Sequence, residues 1–322
     1  MPLNLGFVGT GMIASIHLDN LSKMKDVKIV AVCDVVREKA IKIAQQFNAT
    51  PYFDHYNMFE KERLDGCYVC VPPFAHSDIE VLAAKKRINL FIEKPVGLDL
   101  KKAKKIEKAI QKSGIIVSAG YVLRYLDTVR KAKQLLHGKK IALVYGRYFG
   151  GIVAVPWWTI KKKSGGQIVE QTSHIVDLAR YLAGEMDSVY VQGFCGLNKK
   201  SNKYNIEDAS VMNLHFRNGA IGSIISTCLL SGWLPELEIV TKDMQIQIQI
   251  NPATVLKVTA KGKRREIKSK CNGYLLEDRI FIDAIKSGDD SKIRCNYSDA
   301  LKTLSVTLVA NESIQAGKIV YL

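Results

Sequence analysis

Four polar or ionisable residues recur at spacings of four, three and four in the segment SGGQIVEQTSHIVDLARYL. They are Glu170, His174, Asp177 and Tyr181. In a helix these positions share one face. The apolar residues between them indicate a largely buried helix, in which ionisable groups are costly unless they are paired or used. A histidine readily accepts the proton of a hydroxyl group, so His174 is a candidate general base. A satisfied interior His–Asp network is the alternative interpretation.

A second candidate group lies in INLFIEKPVG, where an apolar strand ends in Glu93 and Lys94 before Pro95. Proline restricts the preceding residue to extended conformations, so the lysine would be held in one direction. An ammonium group there could bond a substrate oxygen and stabilise negative charge as it develops. The alternative is a surface ion pair at the end of a strand.

A glycine-rich turn lies in GFVGTGMIA, between a predicted strand and a predicted helix. Gly9, Gly11 and Ala14 fit G-x-G-x-x-G/A, a pattern that permits a tight turn, the approach of a pyrophosphate and close helix packing. The start of the helix adds unpaired N–H groups and a positive dipole end. We therefore predict a dinucleotide site. Its expected contacts in this turn are Gly9, Thr10, Gly11, Met12 and Ile13.

The choice of dinucleotide depends on Asp34, which ends the second strand twenty residues after Ala14. A carboxylate at this place can bond both ribose hydroxyls and repel a 2′-phosphate, which favours NAD. Arg37 keeps NADP open because a guanidinium could meet that phosphate. A structural glycine turn with a solvent-facing Asp34 is the alternative to a cofactor site.

Further cofactor contacts are expected where later strands end, because open α/β sheets bind ligands along the carboxyl edge of their strands. VPPFAH follows one such strand and offers Pro72 and His76, and the next strand offers Glu93 and Lys94. Nearby Cys67 and Cys70 spell C-x-x-C. Residues three apart on a strand point to opposite faces, so we expect two buried thiols and no metal or redox pair.

The elements that position these groups fall into two patterns. Short strands that are apolar on both faces alternate with helical segments over the first 120 residues, which predicts a doubly wound parallel sheet. After Tyr121 a series of alternating strands and short turns predicts an α+β domain with an open, largely antiparallel sheet. We therefore expect domains at 1–121 and 122–322, with the last helix a candidate to pack back on the first.

Composition limits the classes of function. The chain has 322 residues, 47% of them hydrophobic, and seven scattered cysteines, which we interpret as free thiols in a reducing compartment. We expect a cytoplasmic protein with no membrane association, because neither a signal-peptide pattern nor a spanning apolar run is visible. The net charge is +16, and the densest basic segment, residues 99–114, has the pattern of an amphipathic helix with a solvated basic face, so we expect no nucleic-acid partner.

The ordered set GTGMIA, VCD, VPPFAH, EKP and SGGQIVEQTSHIVDLARYL resembles the Gfo/Idh/MocA oxidoreductase family over nearly the whole chain. The resemblance implies a Rossmann domain followed by an open-faced antiparallel sheet that often forms the oligomer contact. It also implies that Lys94 is the catalytic lysine and His174 the general acid/base. Where the family often has Asp four residues before this histidine, the chain has Glu170, one methylene longer.

The resemblance further implies a substrate pocket. Arg124 and Tyr125 are similar to the family's Arg-aromatic pair after the sixth strand, and PWWTIKKKSGG resembles the loop before the catalytic helix. The implied substrate-binding residues are Tyr121, Arg124, Trp158 and Asp177.

These observations predict an enzyme that moves a hydride between NAD, or alternatively NADP, and a CH–OH carbon of a sugar, polyol or related cyclic substrate. Lys94 and His174 would be its catalytic pair, assisted by Glu170. A homodimer or homotetramer through the second sheet is expected, without a metal. Two alternatives are a non-catalytic NAD(P)-binding regulatory protein and a carbonyl or enone reductase of the biliverdin reductase type.

Overall fold

A computed structural model describes residues 1–199, 201–251 and 254–322. The chain forms two compact units, residues 1–122 with 272–301 and residues 123–271 with 302–322. The first division lies one residue from the predicted boundary. Residues 272–301 belong to the first unit, whereas the sequence analysis placed them in a second domain of residues 122–322.

The first unit contains a six-stranded parallel sheet in the order β3-β2-β1-β4-β5-β6. Its strands are β1 (Leu3–Val8), β2 (Val27–Cys33), β3 (Thr50–Tyr52), β4 (Gly66–Val69), β5 (Asn89–Ile92) and β6 (Val117–Ala119). Its helices within residues 1–122 are α1 (Met12–Leu21), α2 (Arg37–Phe47), α3 (His55–Lys61), α4 (Ile79–Lys85) and α5 (Leu100–Ser113). The predicted doubly wound sheet is confirmed.

The core of the first unit explains why 272–301 belongs to it. Phe7 of β1 stacks on Tyr68 of β4, and Tyr68 stacks on Phe91 of β5, with ring centroids 4.8 and 4.7 Å apart. Phe281 meets Tyr68 edge-on from the helix formed by Gly273–Ser287. That helix packs against α1 and places Phe281, fully buried, in the same apolar core.

The second unit contains a nine-stranded sheet in the order β14-β13-β12-β11-β7-β10-β9-β8-β15. The elements that follow β6 are α6 (Asp127–Leu136), β7 (Ile141–Phe149), α7 (Lys161–Ser164), α8 (Ser173–Ala183), β8 (Met186–Phe194), β9 (Ala209–Phe216), β10 (Ile221–Thr227), β11 (Leu234–Thr241), β12 (Met244–Gln249), β13 (Val255–Ala260), β14 (Lys263–Lys268), α9 (Gly273–Ser287), α10 (Tyr297–Ala316) and β15 (Val320–Tyr321). Neighbouring strands run antiparallel except β7 and β10, which are parallel. The prediction of a largely antiparallel sheet is confirmed.

One face of the second sheet is covered by α8, and glycine permits the close approach. A Cβ at Gly146 of β7 would lie 2.6 Å from Cγ2 of Ile175 in α8. The opposite face leaves large apolar side chains exposed, among them Leu143, Tyr145 and Val211. The sheet is therefore open on one side, as the alternation of polar and apolar residues predicts.

Two details complete the fold. The pair Asn251–Pro252 is typical of a turn between strands, and Pro252 lies outside the described residues. Within the residues that the structure describes, each helix is too short or too polar to cross a bilayer.

Candidate functional site

The glycine-rich turn between β1 and α1 has the geometry that a pyrophosphate needs. Gly9 has φ +89°, and a Cβ there would lie 2.3 Å from the carbonyl oxygen of Cys70. Gly11 caps the start of α1, and a Cβ built on it meets open space within 4 Å. Met12 is 72% exposed at the first helical position. The turn is thus closed toward the sheet and open beside the helix N-terminus, which fits an anionic group.

The Asp34 carboxylate accepts three hydrogen bonds, of which those from Thr10 hold it against this turn. Its Oδ2 accepts the backbone N–H of Thr10 at 2.9 Å and the Thr10 hydroxyl at 2.8 Å. Its Oδ1 accepts the N–H of Val36 at 2.9 Å. These bonds fix a carboxylate beside the glycine turn, in the place expected for ribose recognition.

The other predicted cofactor contacts lie in different surroundings. Arg37 is exposed, with its guanidinium carbon 4.2 Å from the centroid of the Phe53 ring. Pro72 is half-buried just before a short 3₁₀ turn. His76 is buried, and its Nδ1 lies 2.5 Å from Oε1 of Glu80. This pairing gives His76 a structural partner within α4.

Cys67 and Cys70 are both buried free thiols. Burial raises the pKa of each thiol well above its usual value, so both stay protonated near neutral pH. The structure thus places them in the core of the parallel sheet, as their spacing predicts.

The Glu-Lys-Pro segment follows β5 and is firmly placed. Glu93 is 3% exposed, and its Oε2 accepts the backbone N–H of Lys94 at 3.0 Å. A Cβ at Gly120, after β6, would lie 2.5 Å from Oε1 of Glu93, so this glycine leaves room for the carboxylate. The Lys94–Pro95 peptide bond is cis, and the lysine side chain is half-buried.

Sequence reasoning missed His17, which contacts this segment from α1. Its Nε2 lies 3.1 Å from Oε1 of Glu93, and its Nδ1 lies 2.6 Å from Oδ1 of Asp278 in α9. Burial alone lowers the pKa of His17, but these two carboxylates outweigh it and raise the pKa to about 10. A lone histidine in the apolar helix GMIASIHLDNL was the available signal.

In the second unit, His174 stands out on α8 by its accessibility. Every residue of 168–180 is buried except His174, which is partly exposed. The other residues of this segment are packed in the core against the sheet, whereas His174 keeps exposed surface although its Nδ1 is buried. A partly exposed histidine on a rigid buried helix is a suitable general base.

Glu170 lies in a π-helical turn, Ile168–Thr172, that precedes α8. Its Oε2 accepts the indole N–H of Trp158 at 2.5 Å, and Trp158 is fully buried. The regular helical spacing predicted from Glu170 to Tyr181 therefore does not hold at its first position. Glu170, which was predicted to assist catalysis, and Trp158, which was predicted to bind substrate, thus form a buried pair.

Asp177 forms the centre of a buried network. Its two carboxylate oxygens accept from Nε and Nη2 of Arg124 at 2.8 and 2.7 Å, and Oδ1 also accepts the Thr303 hydroxyl at 2.8 Å. The Arg124 guanidinium carbon lies 4.8 Å from the centroid of the Tyr181 ring. The structure thus pairs two residues that were predicted to bind substrate. Tyr121 was also predicted to bind substrate. It is 1% exposed and belongs to the first unit.

One group of described residues has the composition of a metal site. Ligand atoms of His17, Glu93 and Glu277 lie within 4.8 Å of one another. Because the pKa of His17 is raised to about 10, its imidazole is protonated at neutral pH. Both His17 nitrogens already contact carboxylate oxygens, Nδ1 that of Asp278 and Nε2 that of Glu93, so in this structure the imidazole is engaged in ion pairs.

Comparison with known families gives two matches along the chain. Residues 3–121 match the model of the GFO_IDH_MocA oxidoreductase family with its NAD-binding Rossmann fold. Residues 129–247 match the model of the GFO/IDH/MocA C-terminal domain. The two models follow one another in the order of the two sheets.

Two curated relatives and one solved structure match nearly the whole chain. The chain is 25% identical to myo-inositol 2-dehydrogenase of Thermotoga maritima, covering 99% of this chain and 98% of that protein. It is 26% identical to scyllo-inositol 2-dehydrogenase (NAD(+)) of Bacillus subtilis, covering 98% and 95%. The WlbA dehydrogenase of Bordetella pertussis, solved with NADH and UDP-GlcNAcA, shares the fold with a TM-score of 0.86 at 21% identity, covering 100% and 99%.

Proposed function

Because this chain belongs to the Gfo/Idh/MocA oxidoreductase family, we propose that it oxidises a CH–OH carbon of a cyclic polyol or sugar with NAD, or catalyses the reverse. The observation that carries this proposal is the end-to-end similarity to two inositol dehydrogenases, at 25% and 26% identity. Inositols are the first substrates to test, since both relatives are named for them.

The first unit supplies the cofactor site. Gly9, Gly11 and the N-terminus of α1 would hold the pyrophosphate, and Asp34 would hold the ribose. A bound nicotinamide supplies the chemistry of accepting or returning a hydride. The carboxylate of Asp34, fixed by Thr10 and Val36, supports NAD over NADP, because it would repel a 2′-phosphate.

The proposed catalytic roles belong to Lys94 and His174. His174 takes the hydroxyl proton as its carbon is oxidised and returns it in the reverse reaction, a contribution of about 10²–10⁴-fold in rate. Lys94 bonds the same oxygen and stabilises its developing charge. Glu170 holds Trp158 and is proposed to support the wall of the substrate pocket.

The proposal is tested with a panel of inositols, aldoses and levoglucosan-type anhydrosugars, following NADH absorbance with NAD and NADP in parallel. We expect oxidation of at least one cyclic polyol, with NAD preferred. NADH binding without turnover on any substrate would favour the regulatory alternative, and turnover of enones alone would favour the reductase alternative.

The catalytic pair is tested by Lys94→Met and His174→Asn. We expect kcat to fall by about 10²-fold or more in each, with NADH affinity retained. Matched controls are Lys28→Met, at an exposed site on β2, and His215→Asn, at an exposed site on β9. Unchanged kcat in Lys94→Met would remove the proposed mechanism.

We also propose that the open face of the second sheet forms a homodimer or homotetramer contact. Leu143, Tyr145 and Val211 leave apolar area exposed there, and exposed apolar patches of this kind mark association surfaces. Light scattering on the wild type and on Val211→Lys measures the assembly; a wild-type monomer would contradict it.

A further inference from the structure

A buried cluster of four ionisable residues lies behind the Glu-Lys-Pro segment, and we call it the α1–α9 cluster. It consists of His17 of α1, Glu93 at the end of β5, and Glu277 and Asp278 of α9. Three of these residues are 0% exposed, and Glu93 is 3% exposed. Three carboxyl groups and one imidazole thus share a site that water hardly reaches.

Charge balance in the cluster follows from its geometry. His17 bridges Asp278 at 2.6 Å and Glu93 at 3.1 Å, so its cation faces two carboxylates. Neither carboxyl oxygen of Glu277 has a hydrogen-bond partner among the described residues. Burial raises the pKa of Glu277 well above its usual value, which favours its protonated form. His17 therefore places its charge between the carboxyl groups of Glu93 and Asp278.

Asp278 is itself held from two further directions. Its Oδ2 accepts from Nδ2 of Asn20 at 2.9 Å, and its Oδ1 accepts the Tyr68 hydroxyl at 3.1 Å. These bonds fix Asp278, and Asp278 fixes the ring of His17 through Nδ1. Nε2 of His17 is thereby aimed at Glu93.

Glu93 transmits this arrangement to the next residue. One of its oxygens bonds His17, and the other accepts the backbone N–H of Lys94 at 3.0 Å. The Glu93 carboxylate lies against Gly120, and a side chain at residue 120 would overlap with it. The backbone N–H of Lys94 is thus connected through Glu93 to His17 of α1, which lies 76 positions before Glu93 in the sequence.

We propose that His17 is a positioning residue for Lys94: its imidazolium holds the Glu93 carboxylate, which in turn holds the backbone of the lysine. This inference rests on the proposed function, in which Lys94 bonds the substrate oxygen. It assigns a role in turnover to a residue that touches neither cofactor nor substrate. Loss of the imidazolium removes the hydrogen bond that holds one Glu93 oxygen, so the carboxylate and the Lys94 backbone bonded to it can move.

The test uses two variants that are expected to fold. His17→Gln/Asp278→Asn removes one charge of each sign, so the net charge of the cluster is kept. Glu93→Gln keeps an oxygen that can accept the Lys94 N–H but loses the ion pair. The matched control is Glu62→Gln, a half-buried carboxylate of the same unit that accepts the Tyr52 hydroxyl.

Two readouts separate positioning from simple structural support. In full-length enzyme with the active polyol, assayed well below the melting temperature of each variant, kcat should fall about tenfold in both variants, the effect of one charged hydrogen bond, while the KM for NAD changes little. The melting temperature should fall as well, because each variant loses a buried ion pair, so the folded state is verified at the assay temperature. The second readout does not depend on turnover. Lys94 is labelled by reductive methylation, and the rate is obtained from peptide masses and expressed relative to that of Lys28. In both variants this relative rate should rise severalfold over the wild type. Glu62→Gln should match the wild type in both.

Each outcome decides the inference. Unchanged kcat and unchanged Lys94 labelling in folded variants would overturn it and leave His17 a structural residue. If the wild type oxidises no substrate of the panel, the proposed function fails, and the labelling ratio alone still decides the role of His17. A divalent cation that copurifies with the wild type in equimolar amount, and is lost in His17→Gln/Asp278→Asn, would make the cluster a metal site and overturn the proposal.

Discussion

At the scale of single residues, the two glycines of the first turn do different things. Gly9 needs both its positive φ of +89° and the absence of a side chain, because the Cys70 carbonyl lies where a Cβ would be. Gly11 has φ −75° and open space around it. The first glycine therefore serves the fold, and the second leaves a surface for a ligand.

Gly9→Ala should lower the melting temperature markedly, since the left-handed backbone alone costs about 1–2 kcal/mol and the overlap with Cys70 adds to it. Gly11→Ala should melt like the wild type but bind NADH about tenfold or more weakly, because the methyl group occupies the pyrophosphate approach. Thermal denaturation and NADH fluorescence titration measure the two effects. Equal melting temperatures for both variants would contradict this division.

The Asp34 carboxylate gives a second prediction at this scale. Asp34→Ala should raise the KM for NAD about tenfold, because charged hydrogen bonds contribute ~1.5–3 kcal/mol each, and should raise the NADP/NAD ratio of kcat/KM. Asp19→Ala, at an exposed site on α1, is the control. An unchanged cofactor ratio would show that Asp34 does not contact the ribose.

At the scale of elements, α8 is anchored by the Arg124–Asp177 pair. Both side chains are at most 2% exposed, and the contact is bidentate. Arg124→Met should destabilise the protein by about 3–5 kcal/mol, because it strands a buried carboxylate. Arg264→Met, which breaks an exposed pair with Glu266 on β14, should change stability by less than about 1 kcal/mol. Urea denaturation measures both effects. A small effect of Arg124→Met would mean that Asp177 is sufficiently stabilised by Thr303 and by Arg180, whose Nη1 lies 3.8 Å from Oδ1 of Asp177.

The elements also show what sequence can and cannot predict. The strands of the parallel sheet are apolar on both faces and are readily identified, and so is the glycine turn. β14 (KRREIK) is missed because its six residues are all exposed and mostly charged. The π-helical turn at Ile168–Thr172 has no periodic signature. The partner of Asp177 lies 53 positions away, and no local spacing rule reveals such a contact.

At the scale of the whole molecule, the raised pKa of His17 predicts how stability depends on pH. The pKa is about 10 in the folded chain and 6.5 in the unfolded chain, so the folded state binds more protons between these values. The stabilisation is complete below pH 6.5 and is lost as the pH rises toward 10. The raised pKa of Glu277 also makes the folded state bind more protons than the unfolded state at pH values above the usual pKa of 4.5. It therefore also makes stability decrease as the pH rises.

We therefore expect the free energy of unfolding to fall between about pH 7 and pH 10, by about 1.4 kcal/mol per pH unit for each proton involved. Glu277→Gln should make this decline shallower, since the amide cannot ionise. Denaturant titrations at successive pH values give the slope. Stability that is constant from pH 6.5 to 9 would show that His17 is neutral in the folded chain.

The charged strand β14 has a consequence for how copies of this chain can meet. It ends the nine-stranded sheet and presents Lys263, Arg264, Arg265 and Lys268 along an otherwise unpaired border. A second copy aligned there would bring two strands of net positive charge together, since Glu266 is the one acidic residue among four cations in β14, and natural proteins use charged edge strands to prevent edge-to-edge association. Strand pairing between copies is therefore disfavoured at the β14 edge, which leaves the open face of the sheet as the better surface for association.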